Sequence, residues 1–263
     1  MEARLDGKVV LITGATQGVG EAIADLAAQS GAAGLMLTGL EVDQGEGVTR
    51  RLGAAGVETE FLAADLMDAE APERLVSACL SRFGRIDGLV NVAALTDRAS
   101  LLDADIDMWN KQFAVNARAP FFLMQHAVKA MRARGEGGAI VNILSMNAHG
   151  GAPDLAVYSA TKAALAVITK NAADAHRWDR IRVNGINVGW ALTPRENFLQ
   201  AETLGLGTGW VEEAEKTMPF GRLLVPADIA NLAVFLLSDA GGPMTGALVD
   251  QEQWVVGANR GVA

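Results

Sequence analysis

Tyr158 and Lys162 are the residues whose types and spacing point most directly to chemistry. The surrounding segment, from about Ala156 to Arg177, is rich in Ala and predicts a helix, so residues four apart lie on one face. A cation about 6 Å from a phenol, in an effective dielectric of about 20, favours the phenolate by about 2 to 3 kcal/mol. That shift would bring Tyr158 towards the working range of a general acid or base.

Ser145 is the third candidate catalytic residue. It follows the apolar run Ala139 to Leu144, which predicts a buried strand, and a hydroxyl at the carboxyl end of a strand can hydrogen-bond a substrate oxygen. A Tyr-x-x-x-Lys pair by itself is more typical of an ordinary surface pair. Tyr158 is, however, the only tyrosine in the sequence, and a nucleotide-binding signature opens the chain.

That signature is a glycine-rich turn. The run Lys8 to Thr13 predicts a buried strand, Gly14-Ala15-Thr16-Gln17-Gly18-Val19-Gly20 follows it, and a helix is expected over Val19 to Ser30. Glycines at these positions permit a tight turn, a close approach to a pyrophosphate, and close packing of the helix on the strand. The helix N-terminus stabilises phosphate charge.

Composition limits the remaining function classes. The chain has 263 residues, half of them hydrophobic, and no visible linker, so we expect one dinucleotide-binding and catalytic domain over residues 1–263. The net charge of −9 argues against a nucleic acid or an anionic membrane as partner. The single Cys79 excludes an intrachain disulfide and fits a core position. His126, His149 and His176 lack ligand spacing, so no metal site is predicted.

The rest of the sequence alternates between predicted strands and helices. This pattern predicts an α/β fold, a Rossmann-like doubly wound parallel sheet of about seven strands with helices on both faces. A long helix over Asp105 to Arg134 is expected to bend near Pro120, because proline removes a backbone donor. The segment from Val188 to Val225 has no clean period, and we interpret residues 190–225 as a substrate lid. No apolar run reaches membrane-spanning length, and no signal segment precedes the first strand, so a cytoplasmic location is expected.

Over almost its whole length the chain resembles the short-chain dehydrogenase/reductase family, of the smaller single-domain kind. The matching residues are Thr13-Gly14-x-x-x-Gly18-x-Gly20, Asp65, Asn91-Val92-Ala93-Ala94, Asn116, Ser145, Tyr158-x-x-x-Lys162 and the region Asn187 to Thr193. The chain departs from the family pattern at Val188-Gly189, where Pro-Gly is usual, and at Leu144, where a second serine is common.

The resemblance implies a nicotinamide cofactor across the strand ends and a catalytic tetrad of Asn116, Ser145, Tyr158 and Lys162. Tyr158 would exchange the proton of the substrate hydroxyl, and Lys162 would lower the Tyr158 pKa and bind the cofactor ribose. Asn116 would hold a water next to Lys162. The implied cofactor contacts are Gly14, Gln17, Gly18, Val19, Gly20, Leu40, Asp65, Leu66, Asn91, Ala93, Tyr158, Lys162, Gly189 and Thr193.

The expected reaction interconverts a secondary alcohol and a ketone. Ser145, Asn147, Tyr158 and Trp190 are the candidate substrate contacts, and polar groups beside tryptophan faces suit a sugar or polyol better than a steroid or acyl chain. Two alternatives remain open. One is a reductase of carrier-protein (3-oxoacyl) thioesters, which would need a basic docking patch such as Lys129, Arg132 and Arg134. The other is a cofactor-binding regulatory protein without turnover.

NAD is expected in preference to NADP. The second strand ends at Thr38-Gly39-Leu40-Glu41, where such folds read the adenosine ribose, and no cation is present there for a 2′-phosphate. The family also implies a homotetramer. Apolar residues on more than one face of the Asn116 and Tyr158 helices, such as Phe121, Leu123 and Ile168, are consistent with burial on both sides.

Overall fold

The computed structural model describes residues 2–258. They form seven parallel strands in the order β3-β2-β1-β4-β5-β6-β7. The predicted doubly wound sheet is therefore confirmed. The strands are β1 Val9–Thr13, β2 Gly34–Thr38, β3 Glu58–Phe61, β4 Gly88–Asn91, β5 Gly138–Ser145, β6 Ile181–Val188 and β7 Leu248–Gln251.

Helices connect the strands and cover both faces of the sheet. They are α1 Gly18–Gln29, α2 Val42–Ala54, α3 Ala71–Phe83, α4 Ile106–Phe113, α5 Ala119–Arg134, α6 Ala156–His176, α7 Pro194–Phe198, α8 Trp210–Glu215 and α9 Pro226–Leu237. Short 3-10 turns follow β5, α6 and α9, and a π turn, Leu199–Thr203, extends α7. Among residues 2–258, no helix is both long and apolar enough to cross a bilayer.

Alternate side chains of β1 enter two separate cores. Val10 and Ile12 pack with α1, α2 and α9 on one face of the sheet. Val9 and Leu11 pack with α3, α5 and α6 on the other face. Because successive side chains of a strand point to opposite faces, an unbroken apolar run is what a central parallel strand requires.

The long helix predicted over Asp105 to Arg134 is interrupted by a π turn. This turn, Ala114–Arg118, joins α4 to α5 and ends two residues before Pro120, which has no N–H to donate to the ladder. The helix is thus interrupted next to Pro120, with Asn116 inside the π turn, and the expected bend stays a prediction.

Cys79 lies in the second core and is fully buried. Burial raises the pKa of its thiol to about 12, so it is not activated as a nucleophile. Within the described part of the chain, no group of three His, Cys, Asp or Glu side chains is arranged to hold a metal.

Candidate active site

The carboxyl ends of the strands open into a cleft of about 800 Å³. β1 and β4 are neighbours in the sheet, and the connections from them run in opposite directions, which is where ligands bind in such folds. Most of the predicted site residues line this cleft: Gly14, Gln17, Gly18, Val19, Leu40, Asp65, Leu66, Ala93, Ser145, Asn147, Tyr158, Lys162, Gly189, Trp190 and Thr193. Three do not: Gly20, Asn91 and Asn116.

The glycine turn is shaped by close backbone contacts. Gly14 and Gly18 have φ values of +62° and +59°, which favour glycine. A Cβ on Gly14 would lie 2.9 Å from the Ala93 backbone. Thr13 Oγ1 accepts hydrogen bonds from the N–H groups of Val92 and Ala93, at 3.0 and 3.1 Å, and so ties the turn to the β4 loop.

This turn fits the phosphates of a dinucleotide. Gln17 is the N-cap of α1 but makes no capping side-chain bond, so the first N–H groups of the helix are left for a ligand. Free N–H groups at a helix N-terminus bind anions. Gly20 contributes from behind the cleft, where its missing side chain allows α1 to pack on Gly14.

The carboxyl end of β2 would face an adenosine ribose, and the carboxylate of Glu41 is fixed there by a hydrogen bond. Glu41 Oε2 accepts a 2.8 Å hydrogen bond from Thr16 Oγ1. Both arginines in the neighbouring helix are already paired, Arg50 with Glu46 and Arg51 with Asp25 and Glu21. No described arginine or lysine therefore supplies a free cation at this strand end.

Asn91 and Asn116 stabilise the frame of the site. Asn91 is buried and donates to Asn142 Oδ1 at 2.7 Å, which joins β4 to β5. The Asn116 amide accepts from the Leu95 N–H and donates to the Leu95 carbonyl, both at 2.8 Å, and also donates to Thr161 Oγ1 at 3.1 Å. The side chain therefore fixes the β4 loop against α6, and its expected role in holding a water for Lys162 stays a prediction.

Asp65 has a local structural role in addition to lining the cleft. Its carboxylate accepts a 2.8 Å hydrogen bond from the N–H of Met67, and so closes the turn that presents Leu66. Leu66 is buried in this turn and faces the cleft.

Ser145, Tyr158 and Lys162 meet at the floor of the cleft. The Tyr158 hydroxyl hydrogen-bonds the Ser145 hydroxyl, and Ser145 Oγ also accepts from the N–H of Asn147 at 3.2 Å. Lys162 is buried, its Nζ donates to the Ile143 carbonyl at 2.7 Å, and it lies 5.7 Å from the centre of the Tyr158 ring. The sequence spacing thus brings the three side chains together as predicted.

The electrostatics of this group differ from the expectation. Burial raises the pKa of Tyr158 to about 12, with the bond from Ser145 acting to lower it and the charge of Glu196 acting to raise it. Burial lowers the pKa of Lys162 to about 8. The expected lowering of the Tyr158 pKa by Lys162 is wrong for this structure. The Lys162 ammonium donates to the Ile143 carbonyl, and desolvation of both Tyr158 and Lys162 dominates their pKa values.

The segment over residues 190–225 carries polar groups that face the cleft. Glu196 Oε1 accepts from Trp190 Nε1 at 2.9 Å and from Gln200 Nε2 at 2.7 Å. Trp210, at the start of α8, is buried in a small apolar cluster of its own and donates to Asn197. Pro194 and Thr193, at the start of α7, lie close to Gly18 of the glycine turn.

Arg98 lines the same cleft and was missed from the sequence. It follows β4, and the loops after β1, β4, β5 and β6 all open at one edge of the sheet. A signal was therefore available, because polar side chains soon after any strand of a parallel sheet are candidates for this edge.

Comparison with known proteins agrees with this arrangement. The family model described as enoyl-(acyl carrier protein) reductase matches residues 14–251. The chain is 33% identical to the NADP-dependent (R)-specific alcohol dehydrogenase of Lentilactobacillus kefiri, over 94% of this chain and 96% of that protein. It is 32% identical to the sorbitol dehydrogenase of Cereibacter sphaeroides, over 97% and 98%.

A solved structure is also similar. The L-sorbose reductase of Gluconobacter frateurii, complexed with NADPH and L-sorbose, has a TM-score of 0.92 and 31% identity, covering 98% of this chain and all of that one. Fold, cleft and relatives lead to one conclusion: the chain is an oxidoreductase that belongs to the short-chain dehydrogenase/reductase family.

Proposed function

We propose that the protein interconverts a secondary alcohol and a ketone on a small polyhydroxylated substrate. The observation that carries this proposal is the meeting of Ser145, Tyr158 and Lys162 on the floor of the cleft that begins at the glycine turn. The sorbitol and L-sorbose activities named for two relatives support a polyol or sugar.

A bound nicotinamide would supply hydride transfer at its C4 carbon. Gly14, Gln17, Gly18 and Val19 would hold the pyrophosphate. The other residues proposed to hold the cofactor are Leu40, Asp65, Leu66 and Ala93 towards the adenosine end and Gly189, Thr193, Tyr158 and Lys162 towards the nicotinamide end.

Tyr158 would exchange a proton with the substrate oxygen while Ser145 holds that oxygen. With a pKa near 12, the phenol keeps its proton at neutral pH and is ready to donate it during reduction of a ketone. Lys162, with a pKa near 8, can take and release a proton near neutral pH beside the Tyr158 ring. Asn147 and Trp190 would contact the rest of the substrate.

We propose that the protein uses NADP and that its kcat/KM with NADP is only slightly higher than with NAD. The sequence alone favours NAD, but the Lentilactobacillus relative is NADP-dependent and the Gluconobacter structure holds NADPH. Glu41 limits the preference for NADP, because repulsion between its carboxylate and the 2′-phosphate costs binding free energy. We expect the two kcat/KM values to lie within about tenfold, or about 1.4 kcal/mol. A preference for NAD of more than tenfold would overturn the proposal.

Carrier-protein thioester reduction is the second candidate, because the matching family model carries an acyl-carrier-protein description. A carrier protein is acidic and needs a basic docking patch. Of the three basic residues considered, Arg132 pairs with Asp179 at 3.1 Å and Arg134 pairs with Asp87 at 2.5 Å. Only Lys129 has no acidic partner among the described residues, which argues against docking here. A regulatory protein without turnover is disfavoured by the assembled catalytic group.

We also propose a homotetramer and a cytoplasmic location. Exposed aromatic residues on α4 and α5, namely Trp109, Phe121 and Phe122, give an apolar surface that a partner subunit would cover. The single, reduced Cys79 is compatible with a reducing compartment. Light scattering at micromolar concentration tests the assembly, and a stable monomer would refute it.

Turnover of a substrate panel tests the reaction itself. Reduction of NADP and NAD is followed with polyols, sugars, hydroxy acids and hydroxysteroids, and Tyr158→Phe serves as the blank for contaminating activity. We expect the highest kcat/KM among the polyols and sugars. Reduction of 3-oxoacyl thioesters, assayed in parallel by oxidation of NADPH and NADH, without turnover of the panel would overturn the proposal, as would no turnover of any substrate.

A further inference from the structure

Glu196 is a firmly held carboxylate in the cleft that contains Tyr158. Its backbone N–H is capped by Thr193 Oγ1 at 3.1 Å, and its Oε1 accepts the two bonds from Trp190 and Gln200. The side chain is only 20% exposed. A carboxylate held by two side-chain bonds, on a backbone held by a third, is oriented before any substrate arrives.

One oxygen of this carboxylate is left for a ligand. Within residues 2–258, Glu196 Oε2 accepts no hydrogen bond from the protein, and the residue lines the cleft. Glu196 and Tyr158 line the same cleft, and the negative charge of Glu196 acts to raise the pKa of Tyr158. Glu196 therefore offers an acceptor in the cleft where Tyr158 would transfer a proton.

Arg98 offers a donor next to this acceptor. Its Nη1 bonds Asp154 at 2.6 Å, while its Nη2 lies 3.9 Å from Glu196 Oε1, beyond hydrogen-bond distance. Arg98 Nε is buried and has no hydrogen-bond partner in the described part of the chain. An unpaired buried donor is unfavourable, so a guanidinium with spare N–H groups has reason to turn towards a ligand acceptor.

The net charge of this group disfavours an anionic ligand. Arg98 contacts Asp154 and Glu196, and Arg195 lies 3.9 Å from Asp97. Asp154 and Asp97 do not line the cleft but offset the charges of Arg98 and Arg195, so among these five side chains the uncompensated charge, 2 − 3 = −1, is that of Glu196 in the cleft. A substrate carboxylate would meet this negative charge, whereas a neutral hydroxyl can donate to a carboxylate and accept from a guanidinium at once.

We propose that Glu196 and Arg98 form a specificity site for a second hydroxyl close to the reacting carbon. The preferred substrate is then a neutral vicinal diol or α-hydroxy ketone rather than a simple alcohol or a hydroxy acid. This inference rests on the proposed function and narrows its substrate class. Glu196 and Arg98 bind and select, while Tyr158 remains the proton carrier.

The test compares three substrates of one carbon skeleton, 2,3-butanediol, 2-butanol and 3-hydroxybutyrate, in the parent and in Glu196→Gln. Glutamine keeps an acceptor for Trp190 but removes the charge. We expect the parent to favour the diol at least tenfold over both others. Glu196→Gln should lower kcat/KM for the diol at least tenfold and for 2-butanol less than threefold.

Glu212→Gln is the matched control, because it makes the same change on α8 of the same segment, at an exposed position whose only charged partner within residues 2–258 is Lys216 at 3.8 Å. Ultraviolet titration of Tyr158, the sole tyrosine, gives a second readout. Its ionisation midpoint should fall in Glu196→Gln and stay unchanged in Glu212→Gln.

The outcomes separate the two proposals. A parent that oxidises 2-butanol or 3-hydroxybutyrate as well as the diol refutes the specificity site and leaves the reaction class standing. Equal losses on diol and 2-butanol in Glu196→Gln also refute the site, even where the Tyr158 midpoint moves. A parent that turns over none of these substrates, nor any alcohol of the wider panel, refutes the proposed function itself.

Discussion

Gly20 lies where α1 crosses the glycine turn, and replacing it with alanine should separate the two. A Cβ at this position would lie 2.1 Å from the Gly14 carbonyl oxygen and 2.7 Å from its carbon. Ordinary carbon contacts begin near 3.4 Å, so the backbones must move apart by about 1 Å. Neither atom belongs to a flexible side chain that could rotate away.

The size of the effect follows from two opposing contributions. Overpacking a close contact costs about 1 to 3 kcal/mol, and a backbone clash of this depth belongs at the upper end. Alanine in place of glycine within a helix recovers about 0.5 to 1 kcal/mol. The expected net loss is about 2 kcal/mol of unfolding free energy, or about 4 to 8 °C in Tm for a chain of this size.

Urea unfolding followed by tryptophan fluorescence measures this loss. Gly47→Ala in α2 is the matched control, because nothing lies within 4 Å of the added carbon and the same propensity gain applies. We expect Gly47→Ala to be about 0.5 to 1 kcal/mol more stable than the parent. The cofactor Kd should rise at least tenfold in Gly20→Ala only. Equal stability and equal Kd in Gly20→Ala and the parent would refute the packing argument.

Three further predictions concern Tyr158 and a buried carboxylate. Tyr158→Phe should lower kcat at least about 100-fold and leave the cofactor Kd within about threefold, and a kcat within a few-fold of the parent would contradict its role as proton carrier. The raised pKa of Tyr158 contributes stability that is present below about pH 10 and lost as pH rises towards about 12. Absorbance titration of the folded protein should therefore give an ionisation midpoint for Tyr158 above about pH 10. Burial acts to raise the pKa of Asp87, but bonds from Arg85 and the Val9 N–H and the charge of Arg134 hold it below 3.8. Asp87→Asn should therefore lower the free energy of unfolding by about 3 kcal/mol at pH 7, and this free energy should fall less steeply below about pH 4 than it does in the parent. Urea unfolding at several pH values measures both, and the same fall at acid pH in variant and parent would count against this reasoning.

Local spacing made most of the fold predictable. The sequence predicts a helix over Ala71 to Phe83 and a strand over Gly34 to Thr38, and α3 and β2 have these bounds. The third strand, expected over Val57 to Ala64, is shorter, at Glu58–Phe61. It is an edge strand with one neighbour, and the following residues bond to the β2 end only singly, as Leu62 does to the Leu37 carbonyl.

The features of the candidate site that depend on local spacing were predictable, and those that depend on tertiary structure were not. Tyr158 and Lys162 lie together because a helix fixes residues four apart, whatever surrounds them. Their pKa values depend on how far the folded chain excludes water from the two groups, and a local sequence pattern does not predict this. The pairing of Arg98 with Glu196 depends in turn on the β4 and β6 loops meeting over the cleft, a tertiary contact between distant segments.

The position of β1 between β2 and β4 has a consequence for synthesis of the chain. β2 reaches β1 soon after it is made, but the opposite edge of β1 stays uncovered until β4 emerges, and the bond from the Val9 N–H to Asp87 spans 78 residues. At about 5 to 20 residues per second, this interval lasts roughly 4 to 16 s. During that time the most apolar strand of the protein has a free edge, so this stretch is where a nascent chain most needs a chaperone or slow, dilute conditions.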